Sequence, residues 1–458
     1  MFKPEYATFS LSHIPKYSCN GPETICSQGE ISVSSTDYSF HMKQQTGIGL
    51  YLSNKSDKKY ILEHIMANKF LHGMIDLGSL HGALFSTITI NRFLEEELRH
   101  DRFLIQTNEN TSLGSMSSGQ QKKALLLYLI AQKPQYLVLD DVYSNVDKET
   151  QQSIITLLEE LTATTVLIQV FFRKRDLLPC ISTVISIDEN NNILDHQDAE
   201  VFSTPEAINI EGYQPFRLPE GYDESHSEIN PLVQMNAVSV KYLEKQVVEN
   251  INWTIQKGEF WQLAGPNGSG KSTLISLITG DNPKGYGQEL VLFGKKKGTG
   301  ETIWDIRRQI GYFTPSMILQ FTRDDTVENM ILSGLLDSVG LYTKPTDMQK
   351  DIARSWVNML GPFYRNKSFQ SLSIGQQRMV MVARAMVKHP PLLILDEPTI
   401  ELDDANSRLF VDMVNAIARN KMIAIVYVSH RDEPGLKPDK IFELVPSAKG
   451  YTGKVSEL

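Results

Sequence analysis

The chain has 458 residues, long enough for two to four domains. Hydrophobic residues make up 41% of it, enough for ordinary globular cores, which argues against wholesale disorder. A net charge of −9 disfavours nucleic acid as a partner, because phosphate contacts need clustered Lys and Arg.

The N-terminal stretch MFKPEYATFSLSH lacks the basic-then-apolar pattern of a signal peptide. Cys19, Cys26 and Cys180 are too few and too irregular for a disulfide framework or a zinc site, and read as incidental thiols in a reducing compartment. No run approaches about 18 uninterrupted apolar residues, so a membrane role would have to go through a partner. Gly47–Tyr51 reads as a strand. The best register after it lays Leu52-Ser-Asn-Lys-Ser-Asp-Lys58-Lys59 over G-x-x-x-x-G-K-[ST]. Lys58 is kept, the glycines are gone, and Asp57 puts a carboxylate where an anion would approach. No tight phosphate binding is expected there.

Next come Met116-Ser-Ser-Gly-Gln-Gln-Lys and Tyr136-Leu-Val-Leu-Asp-Asp. Both patterns return as Leu372-Ser-Ile-Gly-Gln-Gln-Arg and Leu392-Leu-Ile-Leu-Asp-Glu-Pro. Ser117 and Asp140 are 23 positions apart, and so are Ser373 and Asp396. Equal spacing between two shared motifs implies a duplicated domain. Residues 201–231, rich in Pro, Gly and acids, read as a linker between domains at 1–200 and 232–458.

In the second half, Phe260–Ala264 reads as a buried strand running into Gly265-Pro266-Asn267-Gly268-Ser269-Gly270-Lys271-Ser272-Thr273, a P-loop. Its glycines let successive N–H groups face phosphate oxygens, and the helix from Ser272 to Thr279 turns its positive end to the anion. Lys271 is placed to reach β- and γ-phosphates, and the Ser272 hydroxyl to ligate Mg²⁺. Gln376–Lys388 has helical spacing. Leu392–Leu395 and Ile423–Val428 read as covered parallel strands. Asp396, at a strand end, suits a Mg²⁺ site, and Glu397 suits activation of a water molecule. His430 closes the strand IAIVYVSH. Alternating strands and helices predict an α/β sheet with its ligand at the strand C-terminal edge.

Together the P-loop at 265–273, LSIGQ at 372–376, LLILDEP at 392–398, ELDD at 401–404 and His430 resemble an ATP-binding-cassette ATPase across nearly all of 232–458. The resemblance implies two P-loop NTPase (ABC) domains in tandem, the first degenerate. It also implies that Tyr242 stacks on adenine, that Glu397 is the general base, and that His430 contacts the γ-phosphate. Ser373 and Gly375 would close over ATP held by another cassette. The stretch from Ile278 to Tyr342 is similar to the second cassette of the tandem molybdate-transport, photorepair-associated ATP-binding family. By the same resemblance, Asp141 stands where the catalytic Glu belongs, Phe172 takes the switch-His position, and Pro315 replaces the usual Gln after Ile310–Phe313. Pro offers neither an amide side chain nor a backbone N–H, so that residue's contact with Mg²⁺ and water is lost. From Lys58 to Ser117 is 59 positions, against 102 from Lys271 to Ser373, so the first half's helical insertion has shrunk.

Ser117, Gly119 and Gln120 keep the signature pattern. The expectation is one ATP-hydrolysing site per chain, with Mg²⁺ as cofactor: the second-half P-loop, completed in cis by that signature within a monomer. The alternative is a relic signature, with the second half dimerising between chains. Three jobs are consistent with this. One is energising a membrane permease from the cytoplasmic face of the plasma membrane, molybdate-like by resemblance. Another is a soluble, nucleotide-gated regulatory clamp. The third is a binder that hydrolyses slowly because of Pro315.

Overall fold

In the computed structural model, the described residues are 47–53, 56–67, 80–100, 112–144, 148–204, 216–219, 229–243, 245–429 and 433–457, with 77, 103, 105 and 146. In the first half, the strands are β1 (Gly47–Leu52), β2 (Gly82–Phe85), β3 (Tyr136–Asp140), β4 (Val166–Phe171), β5 (Ile181–Ile187) and β6 (Ile193–Asp198). They form one sheet in the order β2-β3-β4-β1-β5-β6. All neighbours run parallel except β6, which is antiparallel to β5. The helices here are α1 (Lys58–Met66), α2 (Thr87–His100), α3 (Ser118–Ala131), α4 (Lys148–Leu161) and α5 (Ala199–Phe202).

The second half carries β7 (Val233–Tyr242), β8 (Lys245–Ile255), β9 (Phe260–Ala264), β10 (Glu289–Leu292), β11 (Lys295–Lys296), β12 (Ile310–Phe313), β13 (Leu392–Asp396), β14 (Ala424–Val428), β15 (Lys440–Pro446) and β16 (Tyr451–Glu457). Their order is β11-β10-β7-β8-β16-β15-β9-β14-β13-β12. Its helices are α6 (Lys271–Ile278), α7 (Ile303–Arg308), α8 (Val327–Ser333), α9 (Asp347–Leu360), α10 (Ile374–Met386) and α11 (Asp404–Ala418). The run β12-β13-β14-β9-β15-β16 repeats the whole first-half order, so the equal motif spacing corresponds to one topology built twice. The antiparallel strands β7, β8, β10 and β11 extend only the second sheet among the described residues.

The apolar runs become central strands because both faces of each sheet are covered. Leu393 and Leu395 of β13 enter one core, with Ile425 and Tyr427 of β14. Leu392 and Ile394 enter the other, with Ala424, Val426 and Val428. Period-2 side chains thus feed two cores, as a parallel strand between helical layers requires. In the first half, Leu137 and Leu139 of β3 alternate in the same way with Tyr136 and Val138.

Two helices matter most for the site. Ser117 caps α3 and Ser373 caps α10, each in a reciprocal capping box with Gln120 or Gln376. In both halves the retained Ser-x-Gly-Gln pattern therefore builds the start of a helix. The larger second-half insertion contains α8 and α9. Ala353, Trp356, Val357 and Leu360 line one face of α9 at helical spacing and complete a core shared with α10. Phe216 and Leu218, in the segment read as a linker, pack against that same core. Among the described residues, no helix is long and apolar enough to cross a membrane.

Trp356 is fully buried. Trp356→Ala should destabilise this helical unit by about 3–5 kcal/mol, seen as a lower denaturation midpoint in urea.

Candidate functional site

The loop from Gly265 to Gly270 joins β9 to α6 in the order expected of a phosphate cradle. Gly268 has φ +75° and Gly270, the residue before α6, has φ +103°. Both lie in the left-handed region that favours glycine. A Cβ on Gly270 would also sit 2.5 Å from Val248 Cγ1. Lys271 opens α6 with its side chain buried. Its ammonium donates to the Gly265 carbonyl at 2.8 Å and the Pro266 carbonyl at 3.1 Å. Burial pulls its pKa down, and the charges of Glu397 and Asp396 offset this only in part. Among the described residues, the buried Ser269 hydroxyl has no hydrogen-bond partner.

A cleft of about 550 Å³ opens beside this loop. Asn267, Gly268, Gly270, Lys271, Ser272 and Thr273 line it, together with Asp396 and Glu397 from the end of β13. Ser272 and Asp396 bring a hydroxyl and a carboxylate to one cavity, a hard-oxygen pair that suits Mg²⁺ sharing its remaining positions with phosphate and water. Asp396 accepts from the Tyr312 hydroxyl at 3.4 Å. Burial raises its pKa to about 6, helped by the neighbouring Glu397 charge. Glu397 has φ +49°, and its N–H donates to the Val428 carbonyl at 3.0 Å. A non-glycine residue in this region is strained, and such strain tends to gather at functional positions.

One wall of the cleft comes from the other half of the chain. Ser118, the first residue of α3, lines it, and the Asn267 side-chain amide reaches the Ser118 hydroxyl at 3.4 Å. The first-half helix that starts with the retained signature therefore lies against the second-half P-loop. The Ser117 and Gln120 side chains are engaged in the capping box that starts this helix.

The first half shows what the same topology becomes without glycines. Lys58 opens α1 as Lys271 opens α6. The Asp57 carboxylate caps α1, accepting from the Tyr60 N–H at 3.0 Å, so a built-in anion stands at the helix N-terminus. Lys58 lies 3.2 Å from Asp140, 3.7 Å from second-half Glu401 and 5.7 Å from the Phe172 ring centre. Burial alone would lower its pKa. Asp140, Glu401 and Asp141 overcome this and hold it above the ordinary lysine value. Asp141 keeps the left-handed backbone of Glu397, with φ +55°. Its side chain, however, accepts from the Ser144 hydroxyl and sits 3.9 Å from Lys122.

Thr314, Pro315 and Ser316 line the cleft, so the loop carrying the proline does reach this site. Tyr242 is not among the lining residues. It is half-exposed at the end of β7, with its hydroxyl accepting from the Asn282 amide at 2.7 Å, while Val247 of β8 lines the cleft. His430 lies outside the described residues. Sequence reasoning missed Ser118, Val247 and Arg378 as cleft residues. Ser118 stood next to a residue already singled out. Arg378 stood at the end of the second signature, where a buried arginine cannot be told from a surface one. Nothing in the sequence marked Val247.

The ABC transporter family model matches residues 248–400. The ABC transporter ATP-binding protein ModF of Escherichia coli K12 is 35% identical over 333 residues, covering 69% of this chain and 67% of that protein. The ABC transporter ATP-binding protein C323.04 of Schizosaccharomyces pombe is 30% identical over 335 residues, covering 70% of this chain and 66% of that protein. This chain thus spans about two thirds of the length of each relative. A solved structure, cbiO1 from Clostridium perfringens, is described as part of the ABC transporter complex cbiONQ. It is 23% identical with a TM-score of 0.42, covering 46% of this chain and 84% of that one.

Asp396 yields a pH test. Its folded pKa is raised, so the folded state holds a proton that the unfolded state releases, and stability falls as pH rises towards 6. Asp396→Asn should stabilise the nucleotide-free protein by about 1–2 kcal/mol at pH 8, after discounting for partial exposure. The gain should shrink steadily below pH 6, read from melting temperatures of both proteins across that range.

Proposed function

The chain belongs to the family of ABC transporter ATP-binding proteins, and from that premise we propose that it hydrolyses ATP at one composite site per chain. In this reading, 1–200 is a degenerate cassette, 201–231 a linker and 232–458 the competent cassette. The observation that carries it is Ser118 of the first half lining the P-loop cleft of the second. The first-half site supports it too, since its lysine already has carboxylate partners and its helix N-terminus already has an anion.

The residues then divide the work as follows. The P-loop N–H groups and the start of α6 hold the phosphates. The Lys271 ammonium exchanges its carbonyl partners for phosphate oxygens. Ser272 and Asp396 hold Mg²⁺. Bound Mg²⁺ neutralises charge on the β- and γ-phosphates. Glu397 orients a water molecule and takes its proton. The start of α3, with Ser117, Gly119 and Gln120 around Ser118, closes over the nucleotide from the far side. Pro315 supplies no amide there, which makes turnover slow.

The job we assign is energising a transport system from the cytoplasmic side of a membrane, through a separate permease, for a molybdate-like oxyanion. The names of the relatives support the transport role, and the resemblance of the 278–342 stretch supports the substrate.

Calorimetry should find one ATP per chain, and two would sink the single-site reading. Glu397→Gln should lower turnover at least about a hundredfold while preserving binding. Ser117→Arg should lower it roughly tenfold or more, because it wedges a long cation into the closure. Unchanged turnover in Ser117→Arg would reject the cis arrangement, and sedimentation would then be expected to reveal a dimer. For the biological role, Glu397→Gln should be purified with ATP from the native cell. A co-purifying permease supports transport, whereas a soluble partner or none favours the regulatory clamp.

A further inference from the structure

The first half touches the second-half site in another place, away from Ser118. The segment from Pro398 to Asp404 follows directly after Asp396 and Glu397, and two buried arginines hold it. Arg378, on α10 of the same half, donates to the carbonyls of Pro398 and Ile400. Arg173, just beyond β4 of the first half, donates to the intervening Thr399 carbonyl and, at 2.8 Å, to the Leu402 carbonyl. Four carbonyls of one short loop are thus taken by two guanidinium groups, one from each half.

Arg173 is only 2% exposed, and its own position is fixed. Its guanidinium lies 3.4 Å from both carboxylate oxygens of Glu433. Glu433 also accepts from the Thr399 hydroxyl at 2.5 Å and pairs with Arg175 at 3.4 Å. At the far end of the loop, Asp404 accepts from the Lys174 N–H at 2.8 Å and from the Tyr51 hydroxyl at 3.4 Å. Lys58 faces Glu401 in the middle. The first half's converted phosphate site is therefore the surface against which this loop is set.

The loop needs such support. Glu397 at its start and Glu401 within it are both left-handed, with φ +49° and +61°. Each such residue is strained and persists only where its surroundings over-determine it. We infer that Arg173 is a positioning residue for Glu397: the first half, having given up its own phosphate site, holds the second half's water-activating carboxylate in register. Arginine is suited to this because its planar fork spreads five donors in a fixed geometry over two carbonyls and a carboxylate, whereas an ammonium offers three donors from a single point. This inference rests on the assignment of Glu397 as the base.

The test is Arg173→Lys, which keeps the charge and loses the fork, with Arg173→Ala beside it. Arg173 does not line the nucleotide cleft. The expected result is a fall in kcat of about 10- to 100-fold with KM for ATP within about threefold, as for a small misplacement of a reacting group. Amide hydrogen exchange at 398–404 should speed up in the variant, while exchange in α6 stays unchanged. Normal kcat in folded Arg173→Lys, or a raised KM with kcat intact, overturns the inference. If Arg173→Ala does not fold, Arg173→Lys decides alone. If the wild type shows no turnover that Glu397→Gln removes, the ATPase reading fails instead. The exchange data then still judge the anchor, and unchanged exchange at 398–404 rejects it.

Discussion

A buried ammonium at the first turn of a helix has to be compensated, and this chain answers that requirement twice in different ways. Among the described residues, Lys271 donates to the carbonyls of its own loop, and burial lowers its pKa. Lys58 finds Asp140 and Glu401, and its pKa rises. The first arrangement leaves the cation able to serve an incoming anion. The second has supplied the anion from the protein. The backbone agrees: glycines leave the helix start open at α6, while the Asp57 carboxylate caps it at α1.

This difference explains how two halves with one topology come to do different work. The strand order and both capped signature helices are kept, because packing and capping require them whether or not a ligand binds. The phosphate cradle depends on glycines at consecutive turns, and the first half lacks them. The left-handed backbone after the β3 and β13 aspartates also survives in both halves, although Asp141 is tied to Ser144 and Lys122. That conformation is thus a property of the strand-to-loop turn itself, shared by Asp141 and Glu397.

The halves meet through polar contacts of two kinds. Near the P-loop, one contact is an amide and a hydroxyl at 3.4 Å. Around Arg173 and Glu433 it is a buried network with charge pairs and carbonyl acceptors on both sides. Removing one partner of such a network is costly, because it strands the others without solvent.

Much of this was legible in the sequence. Strand positions followed from apolar runs, β9 at the expected residues and β13 and β14 within one or two. The start of α6 followed from the P-loop glycines, and the duplication from equal spacing between motifs. Local chemistry determines these features, so a single sequence suffices. The loss of the first phosphate cradle was legible for the same reason, since it depends on glycines that are plainly absent. The partners of the residues involved were not. Nothing in the chain order says that Lys58 faces Glu401, that Ser118 faces Asn267, or that Arg173 grips a loop more than two hundred positions away. Nor does chain order say that the Tyr242 hydroxyl meets Asn282 or that Val247 lines the cleft. The sequence by itself determined which half carries the glycines that a phosphate cradle needs, because that is a matter of backbone freedom at consecutive residues. Only the tertiary structure decided what the other half's lysine and arginine face, because charge compensation in a buried interface depends on which distant groups the fold brings within a few ångströms.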